Sequence, residues 1–259
     1  MNLKLKNKVI IVTGGARGIG GGISQALGAE GAIVAVVGRN SADNKEMVAA
    51  IKAAKGQAFP VTAELTKPKD CQKAVDAVVK KFGRIDGLVN NAGVNDGIGL
   101  ANGNYADFMA SLHRNLVHYY LMAHHALPWL KASKGAIVNI GSKTAETGQG
   151  NTSAYAAANG GRNALTREWA VELLPFGIRV NAVVVAECWT PLYEKWLNSL
   201  SDPAEMLQKI TRNIPLEQRM TTTAEIANMV AFLLSPVSSH TTGQLIHVDG
   251  GYVHLDRAL

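Results

Sequence analysis

The sequence has few cysteines and no long run of apolar residues. Its two cysteines, Cys71 and Cys188, lie far apart, and neither belongs to a CxxC or Cys/His ligand pattern. This spacing argues against a disulfide framework and against a zinc site. The apolar run VIIV that follows the basic segment MNLKLKNK is too short for a signal-peptide core or a membrane span. We therefore expect free thiols in a cytoplasmic protein that does not enter a membrane.

Concentrated charge and paired histidines are also missing. The 26 basic residues exceed the 20 acidic ones, for a formal net charge of +6, but they are spread along the chain without a basic-aromatic cluster. Nucleic-acid binding is therefore not expected. The histidines at positions 113, 118, 124 and 125 include no HxxxH pair, so we expect them to pack in the core or an interface and predict no metal site.

Seven apolar runs, bounded by glycine or polar turns, alternate with segments of helical spacing. Their continuous hydrophobicity indicates strands covered on both faces. The alternation predicts right-handed βαβ crossovers and an α/β fold with a doubly wound parallel sheet of the Rossmann type. The runs span residues 8–14, 32–37, 57–62, 85–90, 135–140, 178–185 and 244–250.

No repeat, low-complexity tract or long linker divides the 259 residues, so we expect a single domain over 1–259. One segment, 186–222, breaks the alternation of strands and helices because it is rich in aromatic residues and helix formers. It is interpreted either as a substrate lid beside the carboxyl ends of the strands or as an ordinary surface helical hairpin.

A glycine-rich turn, TGGARGIG (13–20), follows the first strand and opens the first helix. This context is typical of a dinucleotide-binding turn, in which glycines let a helix N-terminus approach a pyrophosphate. The second strand ends in VVGRN (36–40), without the carboxylate that would hold the ribose of NAD. Arginines near it could pair with a 2′-phosphate, which favours NADP, with NAD as the alternative. The residues assigned to the cofactor here are Gly14, Arg17, Gly18, Ile19, Gly20 and Arg39.

Four motifs in order resemble the short-chain dehydrogenase/reductase family over essentially the whole chain: the glycine loop, NNAG (90–93), Asn115, and Ser142 thirteen residues before Tyr155. The resemblance implies that Ser142 and Tyr155 are catalytic, that Asn90 steadies the sheet, and that Asn115 supports a bound water. It also implies a homotetramer. Further cofactor contacts that it implies are Glu64, Leu65, Asn91, Ala92, Gly93, Tyr155, Asn159, Cys188 and Thr190.

A closer similarity is to the L-fucose dehydrogenases of that family. It is carried by NNAGVNDGIGL (90–100), SKTAETGQGNTSAY (142–155), TPLY (190–193) and VDGGYVHLDRAL (248–259). The resemblance implies oxidation of the anomeric hydroxyl of a sugar to a lactone. Sugar hydroxyls need paired polar groups and an aromatic face covers the ring. The residues predicted to contact the sugar are Asn95, Asp96, Ser142, Gln149, Asn151, Tyr155, Glu187 and Trp189.

The segment SAYAAANGG (153–161) departs from the family motif YxxxK, because Asn159 stands where the lysine is expected. An ordinary tyrosine has a pKa of about 10, so about one in a thousand is ionised at neutral pH without a nearby cation. Asn159 can donate to a ribose hydroxyl but carries no charge. Lys143 should point to the opposite face from Ser142, and Arg162 lies about two helical turns from Tyr155. We therefore expect no replacement for the lysine, and catalysis slowed by orders of magnitude or shifted to higher pH.

Three interpretations follow from these residues. The leading one is a sugar dehydrogenase that uses NADP and has an altered proton relay. The first alternative is a dinucleotide-binding protein that keeps the fold without catalysis, and the second is a reductase of another carbonyl substrate. The retained Ser142 and Tyr155 favour an enzyme, whereas Asn159 favours a non-catalytic protein.

Overall fold

The computed structural model describes residues 2–255, and its strands form one parallel sheet. The strand order is β3-β2-β1-β4-β5-β6-β7, and each neighbouring pair is parallel. The prediction of a doubly wound parallel sheet is therefore confirmed. The strands are β1 Val9–Thr13, β2 Ile33–Gly38, β3 Gln57–Thr62, β4 Gly87–Asn90, β5 Ala136–Ser142, β6 Arg179–Val185 and β7 Leu245–Val248.

Helices cover both faces of this sheet, and their ends follow local sequence signals. Pro68 occupies the first turn of its helix, where its missing N–H costs nothing. Thr222 and Glu225 form a capping box at the start of another helix. The helices are α1 Gly18–Ala29, α2 Ser41–Ala53, α3 Pro68–Phe82, α4 Tyr105–Leu112, α5 His118–Ser133, α6 Ser153–Glu172, α7 Pro191–Leu197, α8 Pro203–Thr211 and α9 Thr223–Leu234. Among them, none combines the length and the apolar character that a membrane crossing requires.

The hydrophobic core lies in two layers, one on each side of the sheet. Side chains of β1 alternate between them, since Ile11 packs on the side of α3 and α5 while Ile10 and Val12 pack on the side of α1 and α9. All five residues of β1 are buried. This double burial explains why the sequence runs are apolar throughout and do not alternate.

Strand order reverses between β1 and β4, because β2 and β3 extend the sheet on one side and β4 to β7 on the other. At such a switch point the loops after the two strands diverge and leave a crevice at the carboxyl edge of the sheet. Inside the sheet, Asn90 donates to Asn139 at 3.1 Å, and Asn139 donates to Thr166 of α6 at 3.0 Å. These buried bonds connect β4, β5 and α6 and so position the helix that carries Tyr155.

A single π-helical turn, His113–Val117, joins α4 to α5. Its hydrogen bonds close wider rings than those of an α-helix, and such turns are common beside functional sites. Asn115 lies in this turn and is buried. Its side-chain oxygen accepts a hydrogen bond from the backbone N–H of Val94 at 2.8 Å, which attaches the turn to the loop after β4.

Candidate active site

A cavity of about 1050 Å³ opens at the switch point, above the carboxyl ends of the strands. Its volume matches the upper end of the range for ligand pockets. Residues from the turns after β1, β2, β3, β4, β5 and β6 line it together with residues of α6 and α7. The glycine loop contributes Gly14, Arg17, Gly18, Ile19 and Gly20 to the cavity wall.

The glycine loop fits a group that must come close to backbone amides. Gly14 has φ of 62°, in the left-handed region that favours glycine. A Cβ atom added to Gly20 would lie 2.5 Å from Nδ2 of Asn91 and closer still to the carbonyl oxygen of Gly14. Helix α1 begins at Gly18, so its first N–H groups and its positive dipole end face the cavity. A dinucleotide pyrophosphate satisfies both features.

Arg39, just after β2, forms no ion pair with any residue of 2–255. Arg39 lines the cavity and is exposed. Arg17 also lines the cavity, but its Nη2 donates to Asp43 at 3.2 Å and to Glu46 at 2.7 Å. The interpretation that Arg17 joins Arg39 in pairing with a 2′-phosphate is therefore less favoured, because the charge of Arg17 already has two carboxylate partners.

All the remaining predicted cofactor residues line the cavity except Asn159. Asn159 is buried behind the cavity and does not line it. Burial raises the pKa of the Cys188 thiol to about 12, which keeps that side chain neutral. The lining group comprises Glu64, Leu65, Asn91, Ala92, Gly93, Tyr155, Cys188 and Thr190.

Ser142 and Tyr155 both line the cavity, one at the end of β5 and the other in the first turn of α6. The hydroxyl oxygen of Ser142 accepts hydrogen bonds from the backbone N–H of Thr144 at 3.3 Å and from the Thr144 hydroxyl at 3.1 Å. With its oxygen engaged as an acceptor, the Ser142 hydroxyl can donate its own proton to a substrate oxygen.

Asn159 lies one helical turn after Tyr155 and is fully buried. Its Nδ2 donates to the carbonyl oxygen of Tyr155 at 2.9 Å, and its Oδ1 accepts from Nη1 of Arg162 at 2.9 Å. Both polar atoms of the amide therefore have protein partners. Within α6, the amide therefore connects the backbone at Tyr155 to the side chain of Arg162.

Arg162 reaches the site, contrary to the expectation that it lies too far along the helix. Its Cζ is 5.8 Å from the centre of the Tyr155 ring and 4.4 Å from that of Tyr119. Side chains on a helix tilt toward its N-terminus, so a long arginine extends back over the turn that holds Tyr155. A comparison of Cα positions alone overlooks this reach, so helical spacing by itself excludes Arg162.

Lys143 does not line the cavity, in line with the expectation, although it begins a 3₁₀ turn, Lys143–Ala145, and does not continue the extended strand. Its Nζ forms an ion pair with Glu187 and lies 4.1 Å from the centre of the Tyr252 ring. The other carboxylate oxygen of Glu187 accepts from the Tyr193 hydroxyl at 2.8 Å. Glu187, predicted to contact the sugar, is therefore occupied by Lys143 and Tyr193 and does not line the cavity.

The other predicted sugar contacts, apart from Ser142 and Tyr155, lie outside the cavity wall. Asp96 accepts from Nη2 of Arg114 at 2.7 Å and from the Ser111 hydroxyl at 2.9 Å, so its carboxylate is satisfied within the protein. The other residues of this set lie in loop segments and do not line the cavity: Asn95, Gln149, Asn151 and Trp189.

Several lining residues were not predicted. His113 and Arg114 come from the π-helical turn, His118 is the first residue of α5, and Tyr193 comes from α7. Burial, followed by the charge of Arg162, lowers the pKa of His118 to about 4, so this imidazole is neutral. The spacing of 113, 114 and 118 on one predicted helix was the available signal, but it does not reveal which face meets the cavity.

A separate cluster joins the loop after β5 to the end of the described chain. Nε2 of His247 lies 3.2 Å from both carboxylate oxygens of Glu146, and Nε2 of His254 lies 4.0 Å from one of them. The two imidazole rings meet edge to face at 4.3 Å. The cluster therefore fixes the loop that follows Ser142 against β7, a contact between distant segments that no local spacing predicts.

Comparisons with known proteins agree with this geometry. A family model described as enoyl-(acyl carrier protein) reductase matches residues 14–253. The L-fucose dehydrogenase of Bos taurus is 34% identical over 97% of this chain and 91% of its own length. The 3-oxoacyl-[acyl-carrier-protein] reductase FabG of Thermotoga maritima is also 34% identical, over 97% of this chain and 100% of its own. The crystal structure of Cj0485 dehydrogenase superposes with a TM-score of 0.94 and 47% identity, covering 100% of this chain and 99% of that one.

Proposed function

Because the chain belongs to the short-chain dehydrogenase/reductase family, we propose that it oxidises the anomeric hydroxyl of an L-fucose-like aldose to a lactone. The observation that carries this proposal is that Ser142 and Tyr155 share one cavity with the glycine loop. L-fucose dehydrogenases among its relatives support the choice of sugar. The family implies a nicotinamide cofactor, and we propose NADP, with NAD as the alternative.

Support for NADP comes from the end of β2. In enzymes that use NAD, a carboxylate at this position binds the ribose. Here Arg39 lines the cavity at that position, and Gly38 before it has no side chain. The glycine loop at the start of α1 would hold the pyrophosphate, and Thr190, Cys188 and Asn91 would lie along the rest of the dinucleotide. When bound, a nicotinamide cofactor accepts the hydride that leaves the carbinol carbon.

In the proposed oxidation, Ser142, Tyr155 and Asn115 each have a separate role. Ser142 donates its hydroxyl proton to the reacting oxygen and so fixes its position. Tyr155 takes the proton of that oxygen as the hydride departs, which requires the phenolate form. Asn115 anchors the π-helical turn to Val94 and keeps the loop after β4 beside both groups. Water supported by Asn115 would carry the proton onward, as the family resemblance implies.

The polar side chains at the cavity end next to Ser142 suit a hydroxylated substrate. His113, Arg114 and Tyr193 line this end, and α7 covers it with Pro191 and Leu192. We propose that segment 186–222, which carries α7 and α8, is the substrate lid. The loop residues Asn95, Asp96, Gln149, Asn151, Glu187 and Trp189 remain proposed sugar contacts. We further propose a homotetramer in the cytoplasm, on the family resemblance.

Asn159 itself brings no charge to Tyr155. If no other cation acted on the phenol, we would expect a rate orders of magnitude below that of a lysine-containing site, or activity only at higher pH. Whether the rate is this low therefore depends on whether the positive charge of Arg162 acts on the Tyr155 phenol.

The proposed function is tested by incubating the purified protein with L-fucose and NADP⁺ or NAD⁺ from pH 7 to 10. The expected result is formation of reduced nicotinamide and a sugar lactone, faster with NADP⁺ than with NAD⁺. Tyr155→Phe is the control, because it keeps the ring and removes the proton acceptor. Absence of turnover with every aldose tested would overturn the sugar assignment.

The family description and one relative support a different substrate class. The family description and the Thermotoga maritima reductase both concern acyl-carrier substrates. Turnover of a 3-oxoacyl thioester with reduced nicotinamide, without turnover of aldoses, would assign the site to carbonyl reduction. Dinucleotide binding without turnover of either class would assign it to a non-catalytic protein.

A further inference from the structure

Arg162 is a buried cation without a carboxylate partner. It is 2% exposed, and no acidic group of residues 2–255 forms an ion pair with it. Its nitrogens instead donate to neutral oxygens: Nε to the Asn115 carbonyl at 2.6 Å, and Nη1 to the Ile140 carbonyl at 3.2 Å and the Asn159 side chain at 2.9 Å. A buried charge carries a large desolvation cost unless an opposite charge lies nearby.

Tyr155 is the neighbouring group whose phenolate form this charge would stabilise. The guanidinium carbon lies 5.8 Å from the centre of its ring, which places a buried positive charge beside this phenol. A nearby cation favours the anionic form of a phenol. Tyr119 is closer, but burial raises its pKa to about 12 and its hydroxyl donates to the Ile140 carbonyl. Tyr119 therefore stays neutral, and Tyr155 is the phenol that faces the cavity.

One nitrogen of Arg162 is still free to act on the cavity. Nη2 is buried and has no acceptor among residues 2–255. It lies on the side of Gly93, where an added Cβ would be 2.8 Å from it. Arg162 and Gly93 are both among the residues that line the cavity, so this N–H group lies close to the cavity wall. An unpartnered buried donor at a cavity wall indicates a position for a hydroxyl or a water oxygen.

We propose that Arg162 supplies the positive charge that the family motif places at position 159, and that Asn159 holds the guanidinium against Tyr155. Arg162 is thus a positioning residue for the proton acceptor of the proposed reaction, and this inference rests on that proposed function. Asn159 is then the acceptor that a buried arginine requires, and the pair 159/162 replaces a single lysine.

The neighbouring elements carry other charged and titratable groups. His118 and Tyr119 lie on α5, Arg114 lies in the π-helical turn and is paired with Asp96, and Glu64 follows β3. With pKa values of about 4 and about 12, His118 and Tyr119 do not change charge between pH 5 and pH 11. A titration within that interval that disappears in Tyr155→Phe therefore belongs to residue 155.

The experiment compares Arg162→Gln, which keeps hydrogen-bond donors without charge, with Arg162→Lys, which keeps the charge. Tyrosinate absorbance of the free protein is titrated in each, with Tyr155→Phe subtracted. We expect the residue-155 titration to move upward by about one pH unit or more in Arg162→Gln and to move little in Arg162→Lys. The rising limb of the pH–rate profile should move with it, lowering the rate at pH 7 about tenfold per unit.

A second pair of variants keeps the test decisive if Arg162→Gln folds poorly. Asn159→Lys alone adds a second buried cation within hydrogen-bonding distance of the guanidinium, so we expect lower thermal stability and no gain in rate. Asn159→Lys/Arg162→Gln restores one lysine charge without the arginine, so we expect its titration and its pH–rate profile to return toward those of the parent.

The inference is overturned if Arg162→Gln and Arg162→Lys titrate alike, or if Asn159→Lys raises the rate at pH 7 without loss of stability. Because the titration is made on the free protein, its outcome does not depend on the substrate. A shift in the titration without turnover of any aldose would support the role of Arg162 and reject the sugar substrate. Turnover of an aldose without a shift would support the sugar substrate and reject the role of Arg162.

Discussion

Nη1 of Arg162 donates to Oδ1 of Asn159 at 2.9 Å, between two buried side chains three positions apart on α6. The bond joins the two positions from which a cation could be presented to Tyr155. Changing the charge of the acceptor should therefore change the field at the tyrosine without moving the arginine.

Asn159→Asp places a carboxylate against the guanidinium and neutralises it locally. We expect only a small change in melting temperature, because the counter-ion gained by the buried charge is offset by a carboxylate oxygen that faces the Tyr155 carbonyl where Nδ2 had donated. At pH 7 the rate should fall about tenfold or more and recover as pH rises. Ala157→Asp adds the same charge on the exposed side of α6 and should leave the profile unchanged. A parental pH–rate profile in Asn159→Asp would contradict the prediction.

The glycine loop should reject a single methyl group at Gly20. Gly20→Ala forces a Cβ to within 2.5 Å of Nδ2 of Asn91, so we expect dinucleotide binding, measured by quenching of tryptophan fluorescence, to weaken at least tenfold. Gly160→Ala is the matched control, since a Cβ there meets nothing within 4 Å. That helical substitution should keep binding and raise the free energy of unfolding by about 1 kcal/mol. Equal binding by both variants would be the contrary result.

Preference for NADP should depend on Arg39 more than on Arg17. Arg39→Leu removes a cavity arginine, and we expect the Kd of NADP⁺ to rise about tenfold while that of NAD⁺ changes little. Arg17→Leu removes an arginine whose charge is already shared with Asp43 and Glu46 and should alter the ratio less. Calorimetric titration of each variant with both dinucleotides measures the ratio. An unchanged ratio in Arg39→Leu would remove the basis for NADP.

His118 should make the fold less stable in acid. Burial lowers its folded-state pKa from 6.5 to about 4, so between these values the unfolded chain binds one more proton than the folded chain. The free energy of unfolding should therefore fall as pH drops from about 6.5 to about 4, by up to about 3 kcal/mol in total. Urea unfolding at several pH values measures this slope.

His118→Asn should flatten that slope whatever its effect on absolute stability. His240→Asn removes an exposed histidine and serves as the comparison, in which the slope should remain. If the slope survives in His118→Asn, the acid sensitivity has another origin.

The strands could be predicted to within a few residues because each is a buried apolar run that ends at a turn residue. β3 was predicted with the bounds that the structure has, 57–62, and β5 extends two residues beyond its predicted end, to Ser142. The cofactor side of the cavity was equally predictable, since parallel strands bring their carboxyl ends to one edge and the turn motifs follow those ends.

The substrate side could not be predicted in the same way. Glu187 follows β6 as expected, but its partner Lys143 is 44 positions earlier, and an ion pair across that separation leaves no periodic trace. Arg162 was rejected because helical spacing locates Cα atoms and omits the length and tilt of a side chain. The carbonyl of Asn115 that receives it belongs to a π-helical turn, which hydrophobic periodicity does not distinguish from a regular helix.

That turn, His113–Val117, also determines how this region tolerates insertions and deletions. Each residue of an α-helix advances the chain by about 100° around its axis. Deleting one residue here would let α4 and α5 merge into a continuous α-helix, but it would rotate the whole of α4 relative to α5. Asn115 would then leave Val94, and the carbonyl that holds Arg162 would turn away. The segment can therefore accept changes of side chain more readily than any change of length.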